Sequence, residues 1–188
     1  MTARGILAGV TAAAALALPA CKPPPTDAAV ARAANLPAPA GPSEPIASPD
    51  TEGAVWTVSG GETRLVYGIP GEPVLVALEC IGAGNPDARL KITRHAAADA
   101  GAGALLALIG NRRIARIPVD ATKGRGGLLW EGEIPARARD WDTLGGLREA
   151  TVTVPGAGLV KLNPSPLPMQ LVEACRSSPE PAFPADPS

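Results

Sequence analysis

The chain has 188 residues, with 17 Lys and Arg against 18 Asp and Glu, so its formal net charge at pH 7 is −1. A chain this close to neutral has no long-range field that attracts polyanions, and we therefore expect no nucleic-acid partner. Its 22 prolines and 21 glycines divide the chain into segments of different character.

The first 21 residues have the pattern of an export signal. Arg4 supplies a positive charge, residues 5–16 are apolar and rich in alanine, and residues 18–20 (Leu-Pro-Ala) lead directly to Cys21. This segment resembles the lipobox of bacterial lipoproteins cut by signal peptidase II. The resemblance implies cleavage after residue 20 and lipidation of the Cys21 sulfur. An ordinary secretory signal cut near Ala20, with Cys21 as a plain thiol, is the alternative.

The resemblance also implies a place in the cell envelope. The apolar stretch is shorter than the roughly 20 residues that a membrane-spanning helix needs, so we expect it to be removed. Acyl chains on Cys21 then hold the protein at the membrane, because each buried CH₂ contributes about 0.8 kcal/mol. Lys22 stands where inner-membrane lipoproteins of enteric-like bacteria carry aspartate. We expect an outer-membrane lipoprotein with its domain in the periplasm.

Two proline-rich segments flank one domain. Residues 21–53 contain prolines from Pro23 to Pro49 and few large apolar side chains. This composition predicts a lipid-anchored Pro/Ala-rich tether. Its expected conformation is extended polyproline II, which rises ~3.1 Å per residue. Residues 177–188 are predicted to be a disordered proline-rich tail. Residues 54–176 lie between them and form the predicted β-rich domain.

Short apolar or alternating runs, separated by Gly, Pro and Asn, indicate strands throughout this domain. Two hairpins are predicted, one joining 54–59 to 63–67 through two glycines and one joining 104–109 to 112–119. A helix is the alternative for 104–109, but its short length and the preceding glycines favour a strand. The remaining predicted strands are 74–80, 89–95, 128–134, 148–154 and 159–162.

Two segments have helical spacing instead. One begins at Pro135 and ends at Gly145, and the other covers residues 168–176. The three tryptophans are expected to be core anchors, because each lies among aliphatic residues or at helical spacing from one: Trp56, Trp130 and Trp141. The fold class is therefore mainly β, an antiparallel β-sandwich or small barrel with one or two short helices.

Two cysteines remain once Cys21 is acylated. Cys80 ends a predicted core strand, and Cys175 lies on the terminal helix. In an oxidising periplasm two leftover thiols in a small domain predict a disulfide. A metal or redox pair is the alternative, but there is no Cys-x-x-Cys motif and His95 is the only histidine. We expect no metal and no cofactor.

No familiar catalytic motif is present, and we expect a protein that is not an enzyme. His95 is predicted to be a lone exposed histidine, because no nucleophile or acid lies near it in sequence. The two pairs of neighbouring acids are expected to be solvated surface: Glu131 with Glu133, and Asp140 with Asp142.

Basic residues are concentrated in the middle of the domain. If they converge in space, they form an anion-binding patch suited to phosphate on a lipid or to an acidic partner: Arg112, Arg113, Arg116, Lys123 and Arg125. A soluble surface with interspersed acids is the alternative, because nearness in sequence does not fix which way each side chain faces.

These observations predict an envelope lipoprotein whose domain is held off the membrane and has a binding or structural role, with another envelope protein or a glycan as partner. The alternative is an inhibitor, since the chain is similar in size, anchor and strand content to lipoproteins that block lysozyme. Those families insert a loop containing serine and glycine into the lysozyme cleft. The nearest counterpart here, residues 123–127, lacks the serine.

Overall fold

The structure, a computed structural model of the chain, describes residues 43–146 and 148–177. The export signal, Cys21 and the first part of the tether lie outside the described residues, as does the tail from residue 178. No helix in these described ranges combines the length and the apolar character needed to cross a membrane.

The described residues form one nearly closed, barrel-like antiparallel sheet. Its nine strands are β1 Val55–Val58, β2 Arg64–Gly68, β3 Val76–Ile81, β4 Arg89–Ala97, β5 Gly103–Gly110, β6 Arg113–Gly124, β7 Gly127–Pro135, β8 Ala150–Thr153 and β9 Leu159–Leu162. Their order in the sheet is β1-β2-β3-β4-β7-β6-β5-β8-β9. The mainly β fold class is confirmed, and of the two predicted architectures the structure has the barrel.

Both predicted hairpins are confirmed. Val58 pairs with Leu65 across the first turn, and β5 pairs with β6 over its full length. Residues 104–109 are thus a strand, as the flanking glycines favoured. Strand β6 extends beyond the predicted residue 119 because its second half pairs with β7.

Alternating side chains of the strands fill the interior. The fully buried aliphatic residues include Leu78, Leu90, Ile92, Leu106, Leu108, Ile117 and Val152, and all three tryptophans are buried as predicted. Burying each such side chain stabilises the fold by about 1.5–3 kcal/mol. Thr93, on the other face of β4 from Leu90 and Ile92, is buried too and donates a hydrogen bond to the Glu131 carboxylate at 3.0 Å.

Two helices cover the sheet end at which β3 and β7 terminate. They are a 3₁₀ helix, Arg139–Leu144, and the α-helix α1, Leu167–Arg176. The first is shorter than predicted because Pro135 still pairs with Arg89 in the sheet. The Arg176 side chain joins the two helices, since it donates to the Ala136 carbonyl at 2.8 Å and to the Asp142 carboxylate at 2.9 Å.

The predicted disulfide is confirmed. Cys80 near the end of β3 and Cys175 in α1 are bonded, with Cα atoms 5.7 Å apart and a sequence separation of 95. A loop of this length gives a disulfide up to about 4–5 kcal/mol of stabilisation in the chain-entropy model. The bridge therefore fixes α1 to the sheet.

The N-terminal part of the described chain also packs on the sheet, and we call residues 43–53 the strap. The Ile46 backbone N–H donates to the Gly156 carbonyl at 2.9 Å, and the Leu159 N–H donates to the Ser48 hydroxyl at 3.0 Å. Asn163, just after β9, donates to the Thr51 and Ala54 carbonyls and so joins the two edge strands. Residues 43–53, predicted as the last part of the tether, are therefore packed against the domain.

Candidate functional site

The tip of the β5–β6 hairpin has an unusual backbone. Gly110 pairs with Arg113, so the turn consists of Asn111 and Arg112, and both have positive φ, 43° and 57°. Two-residue turns of this kind favour Asn followed by Gly, and a side chain in the left-handed region costs about 1 kcal/mol. Strain of this kind is often found at functional sites. It directs attention to Arg112.

The turn is held firmly in spite of this strain. The Asn111 side chain donates to the Asp142 backbone carbonyl at 3.0 Å, which ties the turn to the 3₁₀ helix. Gly110 leaves the room for this contact, because a Cβ there would lie 2.7 Å from the Thr143 carbonyl oxygen. The arginines at the tip are therefore carried on a rigid support.

A third arginine joins them from a distant part of the sequence. Strand β8 pairs with β5, with Thr151 opposite Ile109, and this brings Arg148 beside the tip. Together they line an open groove of about 600 Å³ with Glu149 as its only acidic member. We call this groove, with Arg112, Arg113 and Arg148, the arginine end.

The three guanidinium groups of the arginine end are exposed and available. None of the three forms a hydrogen bond or an ion pair with any other residue in the described part of the chain. Guanidinium groups bind carboxylate and phosphate through paired N–H donors. The groove therefore presents the donors that an anion-binding site needs.

The structure divides the patch predicted from sequence. Arg112, Arg113 and Arg116 lie on the first half of β6 or at its tip, whereas Lys123 and Arg125 lie at the β6–β7 turn. A strand advances ~3.3 Å per residue, so the two groups are roughly 30 Å apart. Sequence reasoning missed Arg148, because only the β5–β8 register reveals it. A basic residue at the start of the predicted strand 148–154 was the one available signal.

The loop considered for lysozyme inhibition is a tight turn. Gly124 pairs with Gly127, so only Arg125 and Gly126 lie between the strands. The inhibitor alternative stays a prediction, and this turn adds nothing to it.

His95 is not exposed as predicted but half-buried. Burial lowers the pKa of its imidazole, and the nearby charges of Arg64 and Arg94 lower that pKa further, while Glu131 acts in the opposite direction. Arg94 is buried and donates to the Leu75 and Ala157 carbonyls. The environment of His95 therefore favours the neutral imidazole.

Three of the four acids in the two predicted pairs have structural partners. Glu131 accepts a hydrogen bond from Thr93, and Glu133 forms an ion pair with Arg89 at 2.9 Å. Asp142 receives Arg176 at the same distance. Over the described ranges, no cluster of three or more His, Cys, Asp or Glu side chains has the arrangement of a metal site.

Comparison with known proteins adds no family: no family model, no curated protein and no solved structure matches the chain. The functional feature of the described residues is a groove that presents three unpaired arginines, two at the tip of a rigid hairpin and one just before β8.

Proposed function

We propose that the chain is an outer-membrane lipoprotein that acts by binding, with acyl chains on Cys21 as its anchor and the arginine end as its contact with an acidic envelope component. The observation that carries this proposal is the set of exposed, unpaired guanidinium groups on Arg112, Arg113 and Arg148. Each charge-assisted hydrogen bond to a ligand carboxylate or phosphate contributes about 1.5–3 kcal/mol.

The disulfide supports the proposed location in the periplasm. Disulfides persist in oxidising spaces such as the periplasm and are rare in the cytosol. The Cys80–Cys175 bridge therefore agrees with the export signal expected in residues 1–21. The proline-rich segment after Cys21 supplies the spacing that a domain needs to reach a partner away from the lipid surface.

The character of the surface supports a macromolecular partner, either a protein or a glycan bearing acidic groups. The groove is open, and Ile109 at its floor continues into exposed apolar side chains on β5 and β6. Arginine beside exposed apolar residues is typical of protein interfaces, where arginine is enriched among the residues that dominate binding.

Crosslinking in the intact envelope tests the binding proposal. A photoreactive residue placed at Ile114, near the arginine end, is expected to capture a discrete partner, and Val58 on β1 offers a control position of similar exposure. Capture from position 114 should weaken as ionic strength rises and disappear when Arg112, Arg113 and Arg148 are all replaced by Glu. Identical adducts from both positions, or adducts that survive the charge reversal, would overturn the proposal.

Mass spectrometry tests the anchor independently. The native protein should begin at Cys21 and carry the mass of its acyl chains. A Cys21→Ser variant should lose that mass and leave the membrane fraction. An unmodified N-terminus in the native protein would remove the lipoprotein part of the proposal and leave the binding surface to be judged separately.

A further inference from the structure

Two buried N–H donors on neighbouring strands have no acceptor among the residues that the structure describes. Arg94 on β4 pairs directly with Trp130 on β7, so their side chains lie on the same face of the sheet. The two residues are only 2% and 7% exposed, and neither the Nε of Arg94 nor the Nε1 of Trp130 has a hydrogen-bond partner. Buried N–H groups are nearly always paired in proteins. Two neighbouring exceptions therefore indicate a place where an added acceptor binds.

Arg94 also carries a charge that no described carboxylate neutralises. Its guanidinium donates to three backbone carbonyls, at 2.8–3.2 Å: Leu75, His95 and Ala157. No Asp or Glu within residues 43–146 and 148–177 forms an ion pair with it. Burial lowers the pKa of this guanidinium, because no nearby negative charge offsets the loss of water. Buried charges in proteins are normally paired, and an anionic group is the partner that this one lacks.

A recess between the strap and the sheet adjoins this pair of donors. Its volume is about 530 Å³, and its lining includes Trp130, residues 43–46 of the strap, and Gly156 in the β8–β9 turn. The Gly156 carbonyl accepts a backbone N–H of the strap, and the carbonyl of the next residue, Ala157, accepts from Arg94. A continuous path of contacts thus joins the strap to the buried guanidinium. The volume is in the range of small-molecule sites.

The pairing of β4 with β7 is interrupted beside the two donors. After Arg94 the register shifts, and pairing resumes at Ala97, opposite Leu129. Ala97 is also part of the recess lining. Irregularities of this kind are common at the rims of barrels and next to functional sites, where they redirect side chains. The local backbone therefore has the form expected beside a binding site.

The ionisable residues in the lining of the recess have the opposite charge to Arg94. They are Glu44, which is exposed, and Asp99, whose carboxylate accepts the Ser43 N–H at 2.9 Å. These carboxylates repel a simple anion, whereas the buried guanidinium requires one. A molecule that carries an ammonium group and a carboxylate satisfies both. Alanines and prolines form much of the remaining lining, and they suit a small apolar body.

We propose that this recess binds a small zwitterion, an amino acid with an apolar side chain. Its carboxylate accepts hydrogen bonds from the Nε of Arg94 and the Nε1 of Trp130. Its ammonium group lies against Glu44 and Asp99. Both donor atoms are closed to solvent in the structure, so the strap opens to admit the ligand and then covers it. The recess lies at the opposite end of β5 from the arginine end, and this site does not depend on the proposed function.

Titration of the full chain with L-leucine tests this site, with the indole N–H signals followed by NMR. The Trp130 signal should shift downfield, whereas that of Trp141, which already donates to the Pro135 carbonyl at 3.2 Å, should not move. Trp130→Phe keeps the ring, assigns the signal and should weaken binding by calorimetry about tenfold, the scale of one charge-assisted hydrogen bond. Isoamylamine lacks the carboxylate of leucine and isocaproate lacks its amine. Both should bind about tenfold more weakly than leucine or worse.

A matched pair of strap variants tests the ammonium contact. Glu44→Gln should weaken leucine binding about tenfold, and Glu52→Gln, on the same strap but outside the recess lining, should leave it unchanged. Reversing the charges of the arginine end should also leave it unchanged, so failure of the proposed function and failure of this site are distinguishable. Three results would overturn the inference: no response of the Trp130 N–H to millimolar leucine, equally tight binding of either analogue, or a bound water that stays on this N–H when leucine is added.

Discussion

The two ends of strand β5 differ in what holds them and in the charge they present. At Gly110 the hairpin tip rests on the 3₁₀ helix, and three arginines face solvent. Arg176 connects this helix to α1, which the disulfide bonds to β3. At Gly103 the sheet is covered by the strap, and a recess of about 530 Å³ there has Glu44 and Asp99 as its ionisable residues. One end is thus covalently braced and basic, and the other is hydrogen-bonded and acidic.

This difference indicates where the molecule changes most easily. The strap is fixed by a small number of hydrogen bonds, including those from the Ser43 N–H and hydroxyl to the Asp99 carboxylate, which lower the pKa of that carboxyl. Hydrogen bonds of this kind open at low cost in exposed segments. The arginine end has no such freedom, which suits a surface that must present its charges in a fixed geometry.

Removing the disulfide should have the largest effect, because it takes away the covalent brace of the arginine end. In a Cys21→Ser background, which avoids a competing thiol, the further changes Cys80→Ser and Cys175→Ser should lower the free energy of unfolding by about 2–5 kcal/mol. Urea denaturation measures the difference from the Cys21→Ser parent. A loss below about 1 kcal/mol would show that packing of α1, not the bridge, holds this end.

Two glycines allow the contribution of the strap to stability to be measured apart from the general cost of a left-handed backbone. Gly158 has φ +66°, and a Cβ there would lie 2.6 Å from the Ala47 carbonyl oxygen of the strap, whereas Gly156, at φ +79°, has open space. Both changes to Ala carry the left-handed cost of about 1 kcal/mol, and Gly158→Ala should cost about 1–3 kcal/mol more by displacing the strap. Thermal unfolding of the two variants gives the comparison. Equal losses would mean that the strap adapts freely.

At the arginine end, Arg112 should lower the stability of the fold while it contributes to anion binding. Arg112→Gly relieves the left-handed strain and should raise the free energy of unfolding by about 1 kcal/mol, while anion binding at the groove weakens about tenfold. Arg112→Ala keeps the strain and loses the charge, so it should weaken binding without the gain in stability. Urea denaturation and titration with an acidic peptide separate the two effects. A gain in stability from both variants would contradict the assignment of strain to this turn.

The sequence predicted the elements of this fold better than their partners. Alternating runs and glycines located the hairpins, and the exported context of Cys80 and Cys175 pointed to their bond. The strap was missed because its prolines indicate an extended chain, and an extended chain packs on a sheet only where a glycine such as Gly158 makes room. Gly158 lies far from the strap along the chain, so no pattern within residues 43–53 indicates that this space exists.

The candidate site was predicted in half. Arg112 and Arg113 were identified correctly as members of one group, but Lys123 and Arg125 are separated from them by the length of β6. Arg148 enters through the register of β8 on β5, a long-range pairing that periodicity does not contain. The environment of His95 was missed in part for the same reason, since Arg64, which also lowers the pKa of its imidazole, comes from β2.

His95 should give the smallest effect, on the dependence of stability on pH. Burial, with Arg64 and Arg94, holds the pKa of its imidazole below the usual 6.5, so the folded protein resists protonation that the unfolded chain accepts. The stabilising difference is fully present above pH 6.5 and declines as the pH falls through 6.5 toward the folded pKa, because the unfolded chain then binds more protons. Between pH 7.5 and 5.5, where carboxylates titrate little, unfolding free energies of the native chain should fall, while those of His95→Gln should stay nearly flat. Since the chain has one histidine, its imidazole titration by NMR is unambiguous, and a folded pKa at or above 6.5 would contradict this account.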